Sequence, residues 1–403
     1  MFTKNRPSLN LLRPPSELGG LYINCMRNFY PVLLLLSLVV SCNQATQEPL
    51  YFNEVDISYK ISELDTLSIK LEVFSEDGFF RVSNGKLFYF DPIFSNVYEL
   101  DSNGFVVKEF LGKGDGPQEI RQDYVWHTFT NEGESIFLGR QSDIHVFDNE
   151  FNRKEDFMYV KNQTQAQYRN PRSYDEGMYN LDIIYGNAFL SSSTLTILQD
   201  SIVVVPVRIL ERVNPDFNMT TKEYYSSSNT LGVININSGK FERTFGNWPL
   251  EYKDRILPSY DNKFTTNKND TILVSYNASH RIQAYSSYPE LTLLYEFGVK
   301  QDKLMSNYID FKSQNDRKDE SGFYSHIYYN AEDNIIFRSY INDKSSLVGG
   351  VQMYKDKKLI GDQQTLGRFN VLGKLEGYYY AEGTFNEEKE QLQIFKFKIS
   401  THE

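Results

Sequence analysis

Between residues 79 and 111 the chain reads "FFRVS", "GKLFYFD", "NVYELD" and "FVVKEFL", four short runs of aromatic and β-branched residues separated by Gly, Asn, Asp and Ser. Such runs bounded by turn residues predict four consecutive antiparallel strands. The scheme recurs at once as "DYVWHTF", "SIFLGR", "DIHVFD" and "RKEDFMYV" between residues 123 and 160, and in both modules the third run ends in an apolar residue followed by Asp. A third module is drawn from "SIVVVPVRI", "TLGVININ" and "KFERTFG", and a fourth from "NKFTT", "TILVSYN", "RIQAYSS" and "LTLLYEFGV". A fifth follows from "FYSHIYY", "NIIFRSYI", "GGVQMYK" and "KKLIGD". The tail "RFNVLGKLEG", "YYYAEG" and "QLQIFKFKI" supplies only three strands, and the early run "DTLSIKLEV" (65–73) is the natural fourth.

Repeated four-stranded units are the signature of an all-β fold of the β-propeller type, with sheets arranged radially around a channel. Closing the ring with strands from both ends of the chain removes two free sheet edges. Six blades over residues 51–400 is the expected count, although the uneven spacing also admits five or seven. Composition agrees: 29 Phe and 29 Tyr among 403 residues suit pleated, half-buried surfaces. A membrane barrel fits less well, since runs such as "NIIFRS" and "SIVVVPV" are apolar on both faces rather than alternating. The formal net charge of −11 lacks the clustered Lys and Arg that binding to a nucleic-acid backbone requires, so no nucleic-acid partner is expected.

The amino terminus reads as a targeting segment. In "MRNFYPVLLLLSLVVSC" (26–42), Arg27 precedes an apolar stretch from Val32 to Val40. That stretch is far shorter than the roughly 20 residues of a spanning helix, as in a secretion signal. Its end, Val39-Val40-Ser41-Cys42, resembles the lipobox of bacterial lipoproteins. That resemblance implies a signal peptide over 26–41, lipidation of Cys42 and a membrane anchored through it, with several acyl chains giving the hold that one cannot. The absence of Asp directly after Cys42 implies outer-membrane retention, on either the periplasmic or the surface side. Residues 1–25 are expected to be an upstream extension, with Met26 the first residue, and 42–50 a tether. Cys25 would then be lost with the signal, leaving neither a disulfide nor a thiolate metal site.

The stretch "FLGKGDGPQEI" (110–120) poses a choice between a phosphate loop and a turn. Neither Gly-x-x-x-x-Gly-Lys-Ser/Thr nor Gly-x-G-x-x-Gly opening a helix is present, and Pro117 leads into another strand. The glycines are expected to sit at positive φ in a tight turn. With Gly112, Gly114, Gly116, Pro117 and Glu119 the stretch resembles the inter-blade turn of six-bladed propellers of the NHL/TolB-like type, with degraded copies in "FGNWPLEY" and "FGVKQDKL". Together with the lipoprotein signal, the blades over residues 50–400 resemble six-bladed propeller lipoproteins of Bacteroidetes, including the DUF4221 family. Some NHL-type propellers are metal-dependent lyases or hydrolases that use histidines around the channel, which makes such an enzyme acting on an extracellular polymer the alternative reading. Their histidine set is not matched here.

No cofactor or metal is expected from the residues themselves. His127, His145, His280, His326 and His402 show no metal-ligand spacing, and the acidic turns "DSNGF" and "NAEDNI" lack the frame of an EF-hand loop. The acid pairs Glu54 and Asp56, and Asp310 and Asp316, would act together only if folding set their separation. The long insertions 161–190, 207–230 and 300–322 fall on links that topology places on one face of a propeller, where loops on a rigid scaffold build binding surfaces. Arg140, Arg208, Tyr276, Asn277, Arg338 and Tyr340 lie near the second-strand ends on that face. Three arginines there point to a carboxylated or otherwise anionic ligand, which guanidinium binds bidentately. The expected function is therefore a binding or scaffold module for a glycan, peptide or protein of the cell envelope.

Overall fold

A computed structural model describes residues 50–69, 71, 74–75, 78–121, 124–139, 143–158, 195–207, 221–257, 263–300, 304, 322–343, 348–383, 385 and 391–401. They form six antiparallel sheets of four strands, with a fifth strand added to one of them. Blade 1 comprises Phe79–Ser83, Lys86–Asp91, Asn96–Leu100 and Val106–Leu111; blade 2 comprises Tyr124–Phe129, Ser135–Gly139, Asp143–Phe147 and Arg153–Met158. Blade 3 begins with Thr196–Leu198, a strand the sequence reading lacked, and continues through Ile202–Pro206, Asn229–Asn235 and Lys240–Asn247. Blade 4 is Lys263–Lys268, Thr271–Tyr276, Ile282–Tyr285 and Leu293–Phe297; blade 5 is Phe323–Asn330, Ile335–Asp343, Val348–Lys355 and Lys358–Leu366. Asn370–Leu375, Tyr378–Glu382 and Leu392–Thr401 form three strands of blade 6, and Tyr59–Ile69 supplies the fourth. The early strand expected from the sequence is thus the closure.

Of seven buried apolar clusters among the described residues, six correspond one to one with the six interfaces, the seventh being Leu304, Tyr324 and Tyr340. Phe90 and Phe137 fill the interface of blades 1 and 2, Ile144 and Val203 that of 2 and 3, and Val233 and Val274 that of 3 and 4. Leu273 and Tyr354 join blades 4 and 5, Phe337 and Phe397 join 5 and 6, and Tyr380 and Leu87 join 6 and 1. This explains the strand composition. Every residue of Ser135–Gly139 and of Ile202–Pro206 is buried because neighbouring blades cover both faces of these second strands. Outermost strands are covered less, and the first four residues of Val106–Leu111 are exposed.

A repeated polar tie crosses two of these interfaces. The third strands of blades 4 and 5 carry "IQAY" and "VQMY". In each the Tyr hydroxyl donates to the Gln two residues earlier, Tyr285 to Gln283 at 2.8 Å and Tyr354 to Gln352 at 2.8 Å. The same hydroxyls accept backbone N–H groups from the end of the preceding blade, Asn247 at 3.0 Å and Val299 at 3.3 Å. Burial of a tyrosine hydroxyl is favourable when it finds such partners. The sequence reading compared strand boundaries and missed this internal repeat.

The amino-terminal segment runs along the outer edges of three consecutive blades. Leu50–Phe52 pairs in parallel with Leu293–Phe297 of blade 4. Next, Leu359 N–H donates to Glu54 O, while Asp56 and Ser58 N–H groups donate to Leu359 O and Ile360 O of blade 5. Tyr59–Ile69 then completes blade 6. Leu50, read as the last tether residue, is already within a strand.

The glycine-rich stretch is a turn without helix, joining blades 1 and 2. Its glycines do not have positive φ, contrary to expectation; the left-handed residue is Leu111, at φ 58°. Space is tight instead at Gly114 and Gly116, though not at Gly112. Glu119 folds back so that Oε2 accepts the Gly116 N–H at 2.7 Å, and a Cβ on Gly114 would lie 2.1 Å from that oxygen. Pro117 O accepts Arg153 N–H at 2.8 Å, fixing the turn to blade 2.

Candidate functional site

Antiparallel connectivity puts the second-to-third-strand turns and the links between blades on one face. On it, blade 3 carries the expected insertion between Pro206 and Asn229, whose last part is helix α1, Lys222–Ser227. Thr221 caps α1 by accepting the Tyr224 N–H at 3.4 Å. The link from blade 3 to blade 4 contributes α2, Leu250–Asp254, and the two short helices pack on one another. Tyr224, Tyr225, Trp248 and Tyr252 form their shared core, with Tyr225 and Tyr252 each about edge-on or tilted against the Trp248 indole. Trp248 Nε1 donates to Ser228 Oγ at 2.9 Å, and Tyr252 Oη accepts the Ala278 N–H at 3.1 Å from blade 4. The insertion is therefore an ordered roof over blades 3 and 4 in its described part.

Tyr276, Asn277, Arg338 and Tyr340 are brought together beside this roof, around Tyr324. Arg338 is fully buried. Its Nε donates to Ser275 Oγ at 2.9 Å, Nη1 to His280 O at 2.7 Å, and Nη2 to Ser279 O at 2.6 Å and Tyr276 O at 3.3 Å, while the guanidinium carbon lies 3.3 Å from the Tyr324 ring centroid. Asn277 Nδ2 donates to Tyr324 O at 2.7 Å, Tyr276 Oη to Gln283 Oε1 at 3.0 Å, and Tyr340 Oη to Asp362 Oδ1 at 2.8 Å. Burial first, then Asp362, pushes the Tyr340 phenol up. Arg338 and Asn277 thus clamp the 275–280 turn of blade 4 onto blade 5, while the Tyr340 hydroxyl bonds within blade 5 and the Tyr276 hydroxyl to Gln283 of blade 4. Arg140 and Arg208 lie outside the described residues, as do Cys42, Asp310, Asp316 and His402.

Around the clamp lies a charged rim. Glu251 Oε2 accepts Ser279 Oγ at 2.8 Å, and Oε1 is 2.9 Å from His280 Nδ1. Burial opposes the Glu251 charge, yet these neighbours hold its carboxyl below the usual range. Arg281 Nη1 donates to Glu296 Oε2 at 2.5 Å and stacks 4.5 Å over Tyr51 of the amino-terminal segment.

A second polar cluster, which the sequence reading did not select, occupies the start of the innermost strands of blades 5, 6 and 1. Arg368 Nη2 donates to Glu382 Oε2 at 2.9 Å, Ser325 Oγ donates to Asn370 Oδ1 at 2.8 Å, and the Asn370 side chain bonds Glu382. Arg81 approaches from blade 1, its Nη1 donating to Phe80 O at 3.0 Å and its guanidinium carbon 4.7 Å over the Phe79 ring. Burial raises the Glu382 carboxyl although Arg368 and Arg81 pull it down, and burial lowers Arg81 to about 10. An inner-strand arginine flanked by apolar residues, as in "FFRVS", was the available signal.

The histidines are dispersed. His127 is buried at the interface of blades 1 and 2, 3.9 Å from Phe90 in a stack, with no hydrogen-bond partner among the described residues on either ring nitrogen. Burial, with help from Arg81, keeps it neutral. His145 lies between Asp143 and Asp156, and His326 Nε2 meets Val371 O at 2.9 Å. Among the described residues no three His, Cys, Asp or Glu side chains gather as a metal site.

A solved structure of a DUF4221 family member from Bacteroides vulgatus superposes with a TM-score of 0.58 over 86% of this chain and 99% of that one, at 12% identity. The two share the six-bladed propeller fold. A protein of Bacteroides fragilis, provisionally named an exported protein, matches with a TM-score of 0.48 over 88% of this chain and 99% of its own, also at 12% identity. No family model matches the chain. No curated protein matches it either.

Proposed function

We propose that the protein is a binding module of the bacterial cell envelope, anchored to the outer membrane through a lipidated Cys42, whose propeller presents one elaborated face to a glycan, peptide or protein. The observation that supports this most directly is the roof formed by α1 and α2. A chain that needed only a closed ring has no use for a helix-bearing insertion in one blade, capped by Thr221 and packed through Trp248. Binding surfaces are commonly built in this way, from loops fixed on a rigid scaffold. Anchoring rests on the signal and lipobox of residues 26–42.

Trp248 provides the readout, because an occupant of the roof alters the surroundings of its indole. Tryptophan fluorescence and thermal unfolding are to be followed against neutral and acidic oligosaccharides, envelope peptides and an envelope protein extract. A saturable change, with stabilisation of about 2.7 kcal/mol at a hundred times Kd, is the expected result. Absence of any saturable change across all four classes would remove the proposal. Incorporation of labelled palmitate that is lost in Cys42→Ala tests the anchor separately.

A further inference from the structure

We infer that the outer mouth of the interface between blades 4 and 5 is a lipid-contact surface, on which the anchored protein lies against the membrane with Leu50, Val55 and Ile57 at the headgroup boundary. This rests on the anchor read from residues 26–42 and adds an orientation to it.

Exposure is the first support. Eleven large apolar side chains are exposed among the described residues, and apart from Leu250 of the roof they fall in two groups. Leu50, Val55, Ile57, Leu64, Leu294 and Leu366 follow the outer edges of blades 4, 5 and 6. The other four, Val107 among them, belong to blade 1, which a ring of six sets opposite blade 4.

Register brings three of the first group together. Leu50 pairs with Tyr295 and Val55 with Leu359, and paired residues project to the same side of a sheet. Tyr295 and Leu359 both join the apolar cluster between blades 4 and 5, so Leu50 and Val55 flank its outer mouth from either blade, with Ile57 two positions on along the same side. Leu50 is 69% and Val55 55% exposed, so the core beneath absorbs neither. Phe52 and Tyr295 floor the mouth, and Lys357 Nζ lies 4.2 Å and 4.4 Å from their ring centroids. Apolar side chains, aromatic rings and a lysine with an apolar stem and a charged head suit the boundary of a bilayer. Of the segment's two acids, Glu54 is paired with Lys358 at 2.6 Å, and the Asp56 charge acts on the same lysine.

The length of the tether says what covers this surface. Cys42 and Leu50 are eight positions apart, and eight residues reach at most about 29 Å when fully extended. Acyl chains on Cys42 therefore keep Leu50 within that distance of the bilayer, and the apolar edge nearest the anchor is the one that begins at Leu50. A surface too weak to bind alone is sufficient when a tether holds it at high local concentration. Lys357 lies in the turn before Lys358–Leu366, on the face opposite the roof, so this contact leaves α1 and α2 free for a ligand.

On the same reading Cys25 is lost and Cys42 acylated, so the mature chain takes a single thiol label. Val55→Cys, Val107→Cys and Leu250→Cys, each carrying an environment-sensitive fluorophore, are to be measured in the palmitate-bearing protein in vesicles of phosphatidylethanolamine and phosphatidylglycerol, with and without a nitroxide-bearing lipid. Quenching about threefold or more stronger at position 55 than at 107 or 250 is expected for a group at the headgroup boundary. Leu50→Ser combined with Ile57→Ser, both at exposed positions, should leave Tm unchanged yet bring quenching at 55 down to that of the other two. Equal quenching at the three positions, or quenching at 55 that survives the double substitution, would overturn the inference. So would a probe at 55 that is shielded without vesicles and more so at higher protein concentration, which would assign the surface to a second copy. In each of these cases palmitate on the protein keeps the anchor reading intact, whereas a protein that takes no palmitate removes the anchor and this surface with it.

Discussion

His145 is held by Asp156 on one side of its ring and Asp143 on the other: Nδ1 lies 2.7 Å from Asp156 Oδ1 and Nε2 lies 2.9 Å from Asp143 Oδ2. Both bonds form only when both ring nitrogens carry protons, so the pair of carboxylates favours imidazolium. Burial works against the charge, but the two hydrogen bonds and the carboxylate charges outweigh it and raise the His145 pKa. A raised folded-state value means that the contribution to stability is complete below the unfolded value of about 6.5 and is lost as pH rises through the folded value. Wild type should therefore lose thermal stability relative to His145→Gln between pH 6 and pH 9. A constant difference in Tm across that range would refute the assignment.

Arg338 is the opposite kind of group, a buried cation satisfied by carbonyls. Arg338→Ala would strand the Tyr276, Ser279 and His280 carbonyls, at about 1–3 kcal/mol for each group left without a partner. A loss of about 3 kcal/mol or more in denaturant unfolding is expected. Arg338→Lys should recover little of it, since an ammonium on a single stem does not span the 275–280 turn.

At His127 substitution should help. Its two ring nitrogens have no partners among the described residues, in a setting formed by Phe90, Phe129 and Phe137. His127→Phe removes that penalty and keeps an aromatic ring in the stack. A gain of about 1 kcal/mol is expected from the usual cost of an unmade hydrogen bond, read as a higher denaturant midpoint at unchanged slope.

The inter-blade ties predict matched effects. Tyr285→Phe and Tyr354→Phe each remove a hydroxyl that donates to Gln and accepts a backbone N–H of the preceding blade. Each should cost about 1–2 kcal/mol by the usual worth of such bonds. Because the sites lie at different interfaces, the double variant should show nearly additive losses.

The ring was legible because each blade repeats a local pattern that survives without knowledge of its neighbours. "GKLFYFD" and "SIFLGR" announce fully covered strands, and the three-stranded tail announced a missing partner that Tyr59–Ile69 supplies. Thr196–Leu198 was not read as a strand because three residues give too short a pattern to separate from a loop. The site was less legible for a different reason. Whether an arginine faces a ligand or a carbonyl depends on which blade lies opposite, and that is a matter of pairing at long range. Arg338 and Arg368 look alike in sequence; one is wrapped by the 275–280 turn and the other borders Glu382 near Arg81. Gly114 and Gly116 show the same limit, since the residue that crowds them, Glu119, lies a few positions on and folds back.

The closure of blade 6 also sets an order of events. Among the described strands Tyr59–Ile69 is the first long one to emerge during synthesis, and its partner Leu392–Thr401 is the last. Contacts this distant in sequence form late and slowly. A chain passed through a membrane amino terminus first would carry its closing strand across long before the partner arrived, so the ring would be completed only after Leu392–Thr401 had crossed. Until then the chain remains open enough to be threaded, and a chain cut short before Leu392 has a ring that never shuts.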